Sequence, residues 1–248
     1  MVSSPAPIKN VWVGRGGNLL RGKEGKMTYT FQWGILYEWG PYLAKGIWFT
    51  IVVSFSSIFF STIIGLILAT IQTFENKTLK AASLVYIDIF RTIPLLCLLI
   101  LIHYVLSVLT GIPFTPVQSA IIALSLNGGA LACEAYRGGL EAIPYTQHQA
   151  AFSLGFSRIG TLRHITIPQA FFSTLPALTN VYITNIKNTT ITMIVAVPEV
   201  MFRAQEITVQ VFRPLEMYTG AALLYIVFIV AFSYAMRVVE KLQKWQPI

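Results

Sequence analysis

Four long stretches of the chain contain no Asp, Glu, Lys or Arg, and they restrict its fold more than any other feature. They cover residues 46–74, 92–133, 164–186 and 217–236. A membrane-spanning helix needs about 20 mostly apolar residues, and each stretch reaches that length. Charged residues make up 11% of the chain, against about 25% in an average soluble domain. The sequence therefore predicts an all-α, polytopic protein of the lipid bilayer and excludes a soluble enzyme, a disordered chain and a secreted disulfide scaffold.

Turn residues and isolated charges divide these stretches into five predicted transmembrane helices. Gly111, Pro113 and Pro116 split the longest stretch in two, because glycine and proline interrupt helices. The predicted spans are residues 46–71, 84–108, 117–133, 175–197 and 218–239. The predicted organisation is an N-terminal tail with an interfacial segment (1–45), a transmembrane domain (46–240) and a C-terminal tail (241–248).

The distribution of basic residues predicts the orientation. Lysine and arginine near span ends favour the cytoplasmic side. One side collects Lys77, Lys80, Arg91, Arg137, Arg237, Lys241 and Lys244, and the other side Lys45, Arg203 and Arg213. We therefore expect the N-terminus outside and the C-terminus inside. Translocating the basic residues of positions 1–26 is unfavourable, so we also expect Met27 to be the native start.

Other chemistries find little support. A net charge of +8 would suggest nucleic acid in a soluble protein, but here the basic residues lie near span ends. The two cysteines and three scattered histidines predict neither a disulfide framework nor a metal site. Residues 17–23 have phosphate-loop spacing, but Glu24 stands where that motif needs Ser or Thr. We expect no catalytic site, metal, cofactor or nucleic-acid partner.

A helix–glycine–helix insert is predicted between the third and fourth spans, at about residues 144–168. Residues 144–154 can form a short helix, and Gly155 can adopt the positive φ of a helix end. Ala150 and Ala151 have little bulk, so another protein could approach closely. Pro168 suits the first turn of the next helix. On these residues alone, the insert is either a docking element for a soluble partner or a simple connection.

The spacing of this insert resembles the signature loop of ATP-binding-cassette (ABC) transporter permeases. In that family the loop forms a coupling helix that sits in a groove of the ATPase subunit. The matching positions, implied to couple this chain to an ATPase, are Gln149, Ala150, Ala151, Gly155, Ile165 and Pro168. Gln149 departs from the family's usual glutamate. Residues 86–96, 134–139 and 187–190 further resemble the polar-amino-acid uptake branch, although Asn188 replaces its usual aspartate.

The resemblance implies a permease subunit of an ATP-driven importer in the bacterial cytoplasmic (inner) membrane. A polar amino acid would cross by alternating access, and ATP would be bound by partner ATPase subunits. The other implied partners are a second permease subunit and an extracytoplasmic amino-acid-binding protein. The alternative from a different class is a channel or secondary carrier that works without an ATPase.

Five polar residues are candidates for the substrate pathway: Lys187, Asn188, Thr189, Asn127 and Glu199. Lys187 lies about midway along the predicted fourth span, where a charge by default faces a polar cavity or a partner. Pairing with Asp88 or Glu199 is the structural alternative for this lysine. Asn127 either lines the pathway or bonds to a neighbouring helix, and Glu199 either gates the outer mouth or faces water.

Spacing predicts two structural ion-pair sets near the cytoplasmic ends of the spans. Asp88 and Arg91 are three residues apart, which places them on one helix face. Glu134, Arg137 and Glu141 share a face in the same way. We expect both sets to neutralise charge within their own helix.

Overall fold

The computed structural model describes residues 29–241, and within this range the chain is helical and contains no strand. Residues 1–28 and 242–248, which include Met27 and parts of both predicted tails, lie outside the described residues. The α-helices are α1 (Trp33–Thr73), α2 (Lys77–Thr92), α3 (Leu95–Ile100), α4 (Ser107–Thr110), α5 (Pro116–Glu141), α6 (Tyr145–Ser153), α7 (Arg158–Thr161), α8 (Ile167–Asn188), α9 (Val200–Val211) and α10 (Pro214–Lys241). Residues 101–106 and 162–166 form π-helical turns, and Thr189–Val195 is a 3₁₀-helix.

Three of the described helices are long and apolar enough to cross a membrane. They are α1, α5 and α10. Helix α2 and the helical segment 95–110 after it are separated by a bend, and together they would make a fourth span if both parts cross the membrane as one. The fold is therefore an all-helical membrane fold, with the number of spans between three and four by length and composition. The predicted fourth span is not among these candidates, because threonine and asparagine residues lower the hydropathy of α8.

Helix α1 begins earlier than predicted. Its 41 residues are about 60 Å long at 1.5 Å per residue, which exceeds the thickness of a bilayer. The aromatic segment before Gly46 is thus mostly helix, continuous with the predicted first span through Pro41. Spans predicted from charge-free stretches miss such extensions because the charged residues Glu38 and Lys45 lie on the helix itself.

The predicted second span is wrong as a single straight helix. Helix α2 and the helix that starts at Leu95 meet at an angle of 102°. Pro94 has no N–H to donate, and its ring pushes the preceding residue out of the helical region. Ile93 accordingly has φ −62° and ψ 126°, and the chain turns there.

The centre of the bundle is a close contact between α1 and α5, named here the α1–α5 seam. It is built from small residues: Ser54, Ser57, Ser61 and Gly65 on α1, and Gly128, Gly129, Ala132 and Cys133 on α5. A Cβ added at Gly65 would lie 2.6 Å from the Cβ of Ala132, so the backbones nearly touch. The large side chains of α1, such as Phe59 and Leu66, are exposed on the opposite side. Small residues inside and large apolar residues outside are typical of helices that pack within lipid.

The start of α10 holds the segment that leads into α1. The buried Glu216 carboxylate accepts hydrogen bonds from the Tyr29 hydroxyl and, at 3.1 Å, from the Gln32 backbone N–H. Arg213 donates to the Thr30 carbonyl at 3.2 Å and pairs with Glu216 at 3.5 Å. Desolvation, followed by the hydrogen bond to Glu216, raises the pKa of Tyr29. The first residues of α1 and of α10 therefore lie at the same end of the bundle.

Candidate functional site

Two regions contain the residues singled out from the sequence, and the first is the insert at residues 144–168. Helix α6 occupies most of the predicted short helix. Gly155 has φ +83°, as predicted. Its N–H donates to the Phe152 carbonyl and the Phe156 N–H donates to the Ala151 carbonyl, both at 3.0 Å. These two bonds form a Schellman motif, which ends α6 and reverses the chain.

A short helix that was not predicted, α7, lies between Gly155 and the predicted next helix. Ser157 caps α7 by accepting a hydrogen bond from the Gly160 N–H at 3.1 Å, and a helical run then continues from Arg158 to Asn188. Pro168 lies in the first turn of α8, as predicted, and α8 continues the helical run that begins with α7. The π-turn of residues 162–166 comes directly before Pro168, where a proline interrupts ordinary helical hydrogen bonding.

The predicted coupling residues differ in accessibility. Gln149, Ala150 and Pro168 are exposed, Ile165 is half-buried, and Ala151 is 1% exposed. Of the two alanines, only Ala150 can be approached by another protein, because Ala151 packs inside its own chain. Sequence reasoning treated the two alanines alike, because which side of the short helix α6 is buried depends on its packing against α7.

Large apolar side chains surround these positions at the surface. Exposed members are Tyr145, Phe152, Leu154, Phe156, Ile159 and Leu162. None lies in a helix long enough to span the membrane. Exposed apolar side chains mark surfaces that contact a protein or a membrane, so docking and simple connection both stay open for the insert on the geometry alone.

The second region surrounds Lys187, near the end of α8. Asn185 accepts a hydrogen bond from Ser57 and donates one to Ser61, both at 3.3 Å. Those serines lie near the middle of the predicted first span, so Lys187 lies at the level of the middle of that predicted span. Its side chain is exposed on the single chain. No ion pair among the described residues includes it, so neither pairing considered for it from the sequence is present.

Asn188 and Thr189 differ in accessibility. Asn188 is half-buried, whereas Thr189 is fully buried. The Thr189 hydroxyl donates to the Ile186 carbonyl at 2.8 Å and lies 3.2 Å from the Tyr225 hydroxyl. Thr189 therefore joins α8 to α10 inside the bundle, and Lys187 with Asn188 is the accessible part of this region.

The interpretation that Glu199 faces water is wrong. The residue is 0% exposed and forms the N-cap of α9. Its carboxylate accepts from the backbone N–H groups of Met201 and Phe202 at 2.8 and 2.7 Å, and from the Tyr225 hydroxyl at 2.5 Å. Glutamate is not among the usual N-cap residues, and burial by Tyr225 of a distant helix leaves no trace in the sequence, so sequence reasoning had no signal for this cap.

The charged residues near the insert form one pair between helices and one pair within α5. Arg91 of α2 contacts Glu134 of α5, so the predicted Asp88–Arg91 pair is replaced by a contact across 43 positions of sequence. Arg137 pairs with Glu141 at 3.3 Å, as their spacing predicts. Asn127 donates to the Phe90 carbonyl at 2.7 Å, which fits the neighbouring-helix interpretation of that residue. The second part of α2 is thus fastened to α5 just before the chain turns.

Comparison with known proteins places these regions in a family. Residues 61–244 match the family described as "Binding-protein-dependent transport system inner membrane component". The Bacillus subtilis (strain 168) "Probable amino-acid ABC transporter permease protein YckA" is 34% identical over 79% of this chain and 87% of that protein. The Escherichia coli (strain K12) "Glutamine transport system permease protein GlnP" is 28% identical over 86% and 98%.

Solved structures agree with the fold. A chain from the "Crystal structure of an amino acid ABC transporter with histidines" has a TM-score of 0.81 and 27% identity. The match covers 87% of this chain and 100% of that one. A methionine ABC transporter, MetNI, in an inward-facing conformation has a TM-score of 0.66 at 22% identity, covering 80% and 94%. The second likeness concerns the fold alone.

Proposed function

We propose, from the premise that this chain belongs to the family of binding-protein-dependent transport system inner membrane components, that it forms part of an alternating-access pathway for a polar amino acid. The chain is the multi-pass permease subunit of an ABC amino-acid importer of the inner membrane, and its ATP is handled by ATPase partners. It is a transport subunit and not an enzyme. A channel or secondary carrier without an ATPase does not agree with this family.

The proposed topology has five spans, with the N-terminus outside and the insert and C-terminus inside. Gln72, near the end of α1, lies 3.8 Å from the Cys133 sulfur in the second half of α5. The two helices therefore run in the same direction, and the insert follows α5 at the end where α1 finishes. Lys77, Lys80 and Arg91 belong to that same end, which supports a cytoplasmic location. In this arrangement α8 is the fourth span.

One observation carries the proposed mechanism: a single helical run joins the insert to Lys187. The run from Arg158 to Asn188 begins directly after the Schellman turn at Gly155. An ATPase that moves α6 would displace this run and, with it, the mid-depth residues Lys187 and Asn188. Gln149, Ala150, Ile165 and Pro168 lie on or beside the face proposed to meet the ATPase.

The proposed partners complete the pathway. Lys187 is exposed on a single chain at mid-depth, so a second permease subunit, of the same or a homologous kind, would face it across a polar path. An extracytoplasmic binding protein would deliver the amino acid to the opposite end. Because Lys187 has no paired acid among the described residues and Asn188 is neutral, this path favours acidic or neutral amino acids over basic ones.

Replacing Gly155 with leucine tests the coupling step. Leucine at φ +83° costs about 1–2 kcal/mol, so the Schellman turn and the start of α7 are expected to shift. We expect amino-acid uptake and substrate-stimulated ATP hydrolysis by the reconstituted transporter to fall, while membrane insertion stays normal.

The matched control is Gly138→Leu, since an added Cβ at Gly138 meets nothing within 4 Å and this glycine has ordinary helical geometry. This control is expected to transport normally. Normal uptake and stimulated hydrolysis in Gly155→Leu would contradict the proposed coupling role of the insert.

A further inference from the structure

A cavity of about 430 Å³ opens between α6, α7 and the π-turn that follows α7. Tyr145, Phe152 and Leu162 form an apolar rim, and each of them is exposed. His148 and Arg158 bring basic groups to the same cavity. The Tyr145 and His148 rings stack at 6.2 Å between centroids with 23° between planes, which holds the imidazole in place on its helix.

A buried hydroxyl without a partner also lines this cavity. Thr166 is 4% exposed, and its Oγ1 atom has no hydrogen-bond partner among the described residues. Other helical threonines, such as Thr174 and Thr179, donate to the carbonyl four residues earlier. In the π-turn the corresponding Leu162 carbonyl accepts the N–H of Ile167, five residues later, and the Thr166 hydroxyl makes no bond to it. A buried hydroxyl is normally hydrogen-bonded, so the Thr166 hydroxyl is a donor without an acceptor in the described chain.

The surroundings are basic and lack acids. No Asp or Glu occurs between Glu141 and Glu199, while His148, Arg158, Arg163 and His164 all fall in the insert. Glu141 itself is paired with Arg137. None of the ion pairs among residues 29–241 includes Arg158. Its guanidinium therefore lacks an anionic partner within the described chain.

We propose that this cavity receives an acidic side chain of the ATPase subunit, with its carboxylate paired to Arg158 and hydrogen-bonded by the Thr166 hydroxyl. The inference rests on the proposed docking of the insert and specifies the chemistry of that contact. The exposed apolar rim favours a protein surface over a small free anion, because a free anion gains nothing from Tyr145, Phe152 and Leu162. The carboxylate accepts from both donors, and the aromatic rim excludes water around the pair.

Charge reversal at Arg158 tests the inference. The chain is co-expressed with its ATPase subunit, and the dissociation constant of the ATPase is measured on purified permease in lipid nanodiscs. We expect Arg158→Glu to weaken ATPase binding about tenfold or more, because it brings a like charge to a desolvated pair. Arg163→Glu is the matched control, since Arg163 has the same charge in the neighbouring turn, is exposed and does not line the cavity.

Thr166→Val distinguishes a role of the Thr166 hydroxyl in ATPase binding from a role in the stability of the permease. Valine keeps the shape of threonine and removes only the hydroxyl, so we expect several-fold weaker ATPase binding without loss of thermal stability. Treating the ATPase with carbodiimide and glycinamide, which neutralises surface carboxylates, should weaken binding to the unmodified permease and have little further effect on Arg158→Glu. Arg158→Gln replaces the reversal if that variant does not insert.

Each outcome bears on a different statement. If the unmodified permease binds no ABC ATPase, the proposed function fails with the inference. If it binds the ATPase and Arg158→Glu binds equally well, or Arg163→Glu weakens binding as much, the cavity is not the receptor and the inference is overturned. Unchanged binding by Thr166→Val overturns the role of the hydroxyl.

Discussion

Replacing Lys187 with methionine is expected to abolish amino-acid uptake while the permease still assembles with its ATPase. A charged side chain at mid-membrane costs about 2.5–3.5 kcal/mol on insertion scales, so it persists where a polar path or partner stabilises it. Lys187 is exposed on the chain and lies beside Asn185, which bonds to the middle of α1. Methionine keeps much of the length and removes the charge.

The measurement is uptake into proteoliposomes, with co-purification of the ATPase as the test of assembly. Lys77→Met is the matched control, because Lys77 is an exposed lysine in the first turn of α2, away from mid-depth. The control is expected to transport normally. Normal uptake by Lys187→Met would remove this residue from the pathway, and failure to assemble would favour a structural role instead.

Replacing Gly46 with alanine is expected to destabilise the permease through a contact with backbone. An added Cβ would lie 2.6 Å from the Val200 nitrogen and 2.8 Å from the Glu199 carbonyl carbon. Backbone atoms cannot rotate away as a side chain does, so the start of α9 must move and with it the Glu199 cap. Overpacking of this kind costs about 1–3 kcal/mol or more. Thermal denaturation in detergent, followed by size exclusion, should show a lowered midpoint.

Gly34→Ala is the control for this change. It lies on the same helix, and an added Cβ there meets nothing within 4 Å. Substitutions at such surface positions usually change stability by less than about 0.5 kcal/mol. Equal midpoints for Gly46→Ala and Gly34→Ala would show that α9 does not pack tightly against α1 in the membrane.

The charge-free stretches were sufficient to locate the three long apolar helices, since α1, α5 and α10 each contain a predicted span. Large apolar side chains are exposed on α1 and α10, whereas α5 lies inside the bundle. Helix α8 is different, since it carries polar residues both inside the bundle, such as Thr174, Thr179 and Asn185, and on its exposed face, such as Lys187. Its α-helical part ends at Asn188 and a 3₁₀-helix follows, a change that composition does not signal.

Local signals predicted local geometry and failed for distant contacts. Gly155 has the predicted positive φ because helix termination depends on neighbouring residues. The partner of Arg91 could not be predicted, since Glu134 comes to it only when α2 packs on α5. The cavity at Thr166 was missed for a similar reason, because an unpaired hydroxyl is a property of the π-turn. The acid-free interval between Glu141 and Glu199 was the available signal.

The α1–α5 seam gives the synthesis of the chain a definite order. Ser61 of α1 reaches the carbonyl of Ser125, which the ribosome adds 64 residues later. Until then the hydroxyls of α1 can be satisfied only by their own helix, as Ser57 already is by the Ser54 carbonyl. A nascent chain that ends before Pro116 can pack α2 on the end of α1, as the Ser83 hydroxyl bond to the Leu68 carbonyl shows, but it lacks the seam partner of α1. The contact at the centre of the bundle can therefore form only after α5 has been synthesised.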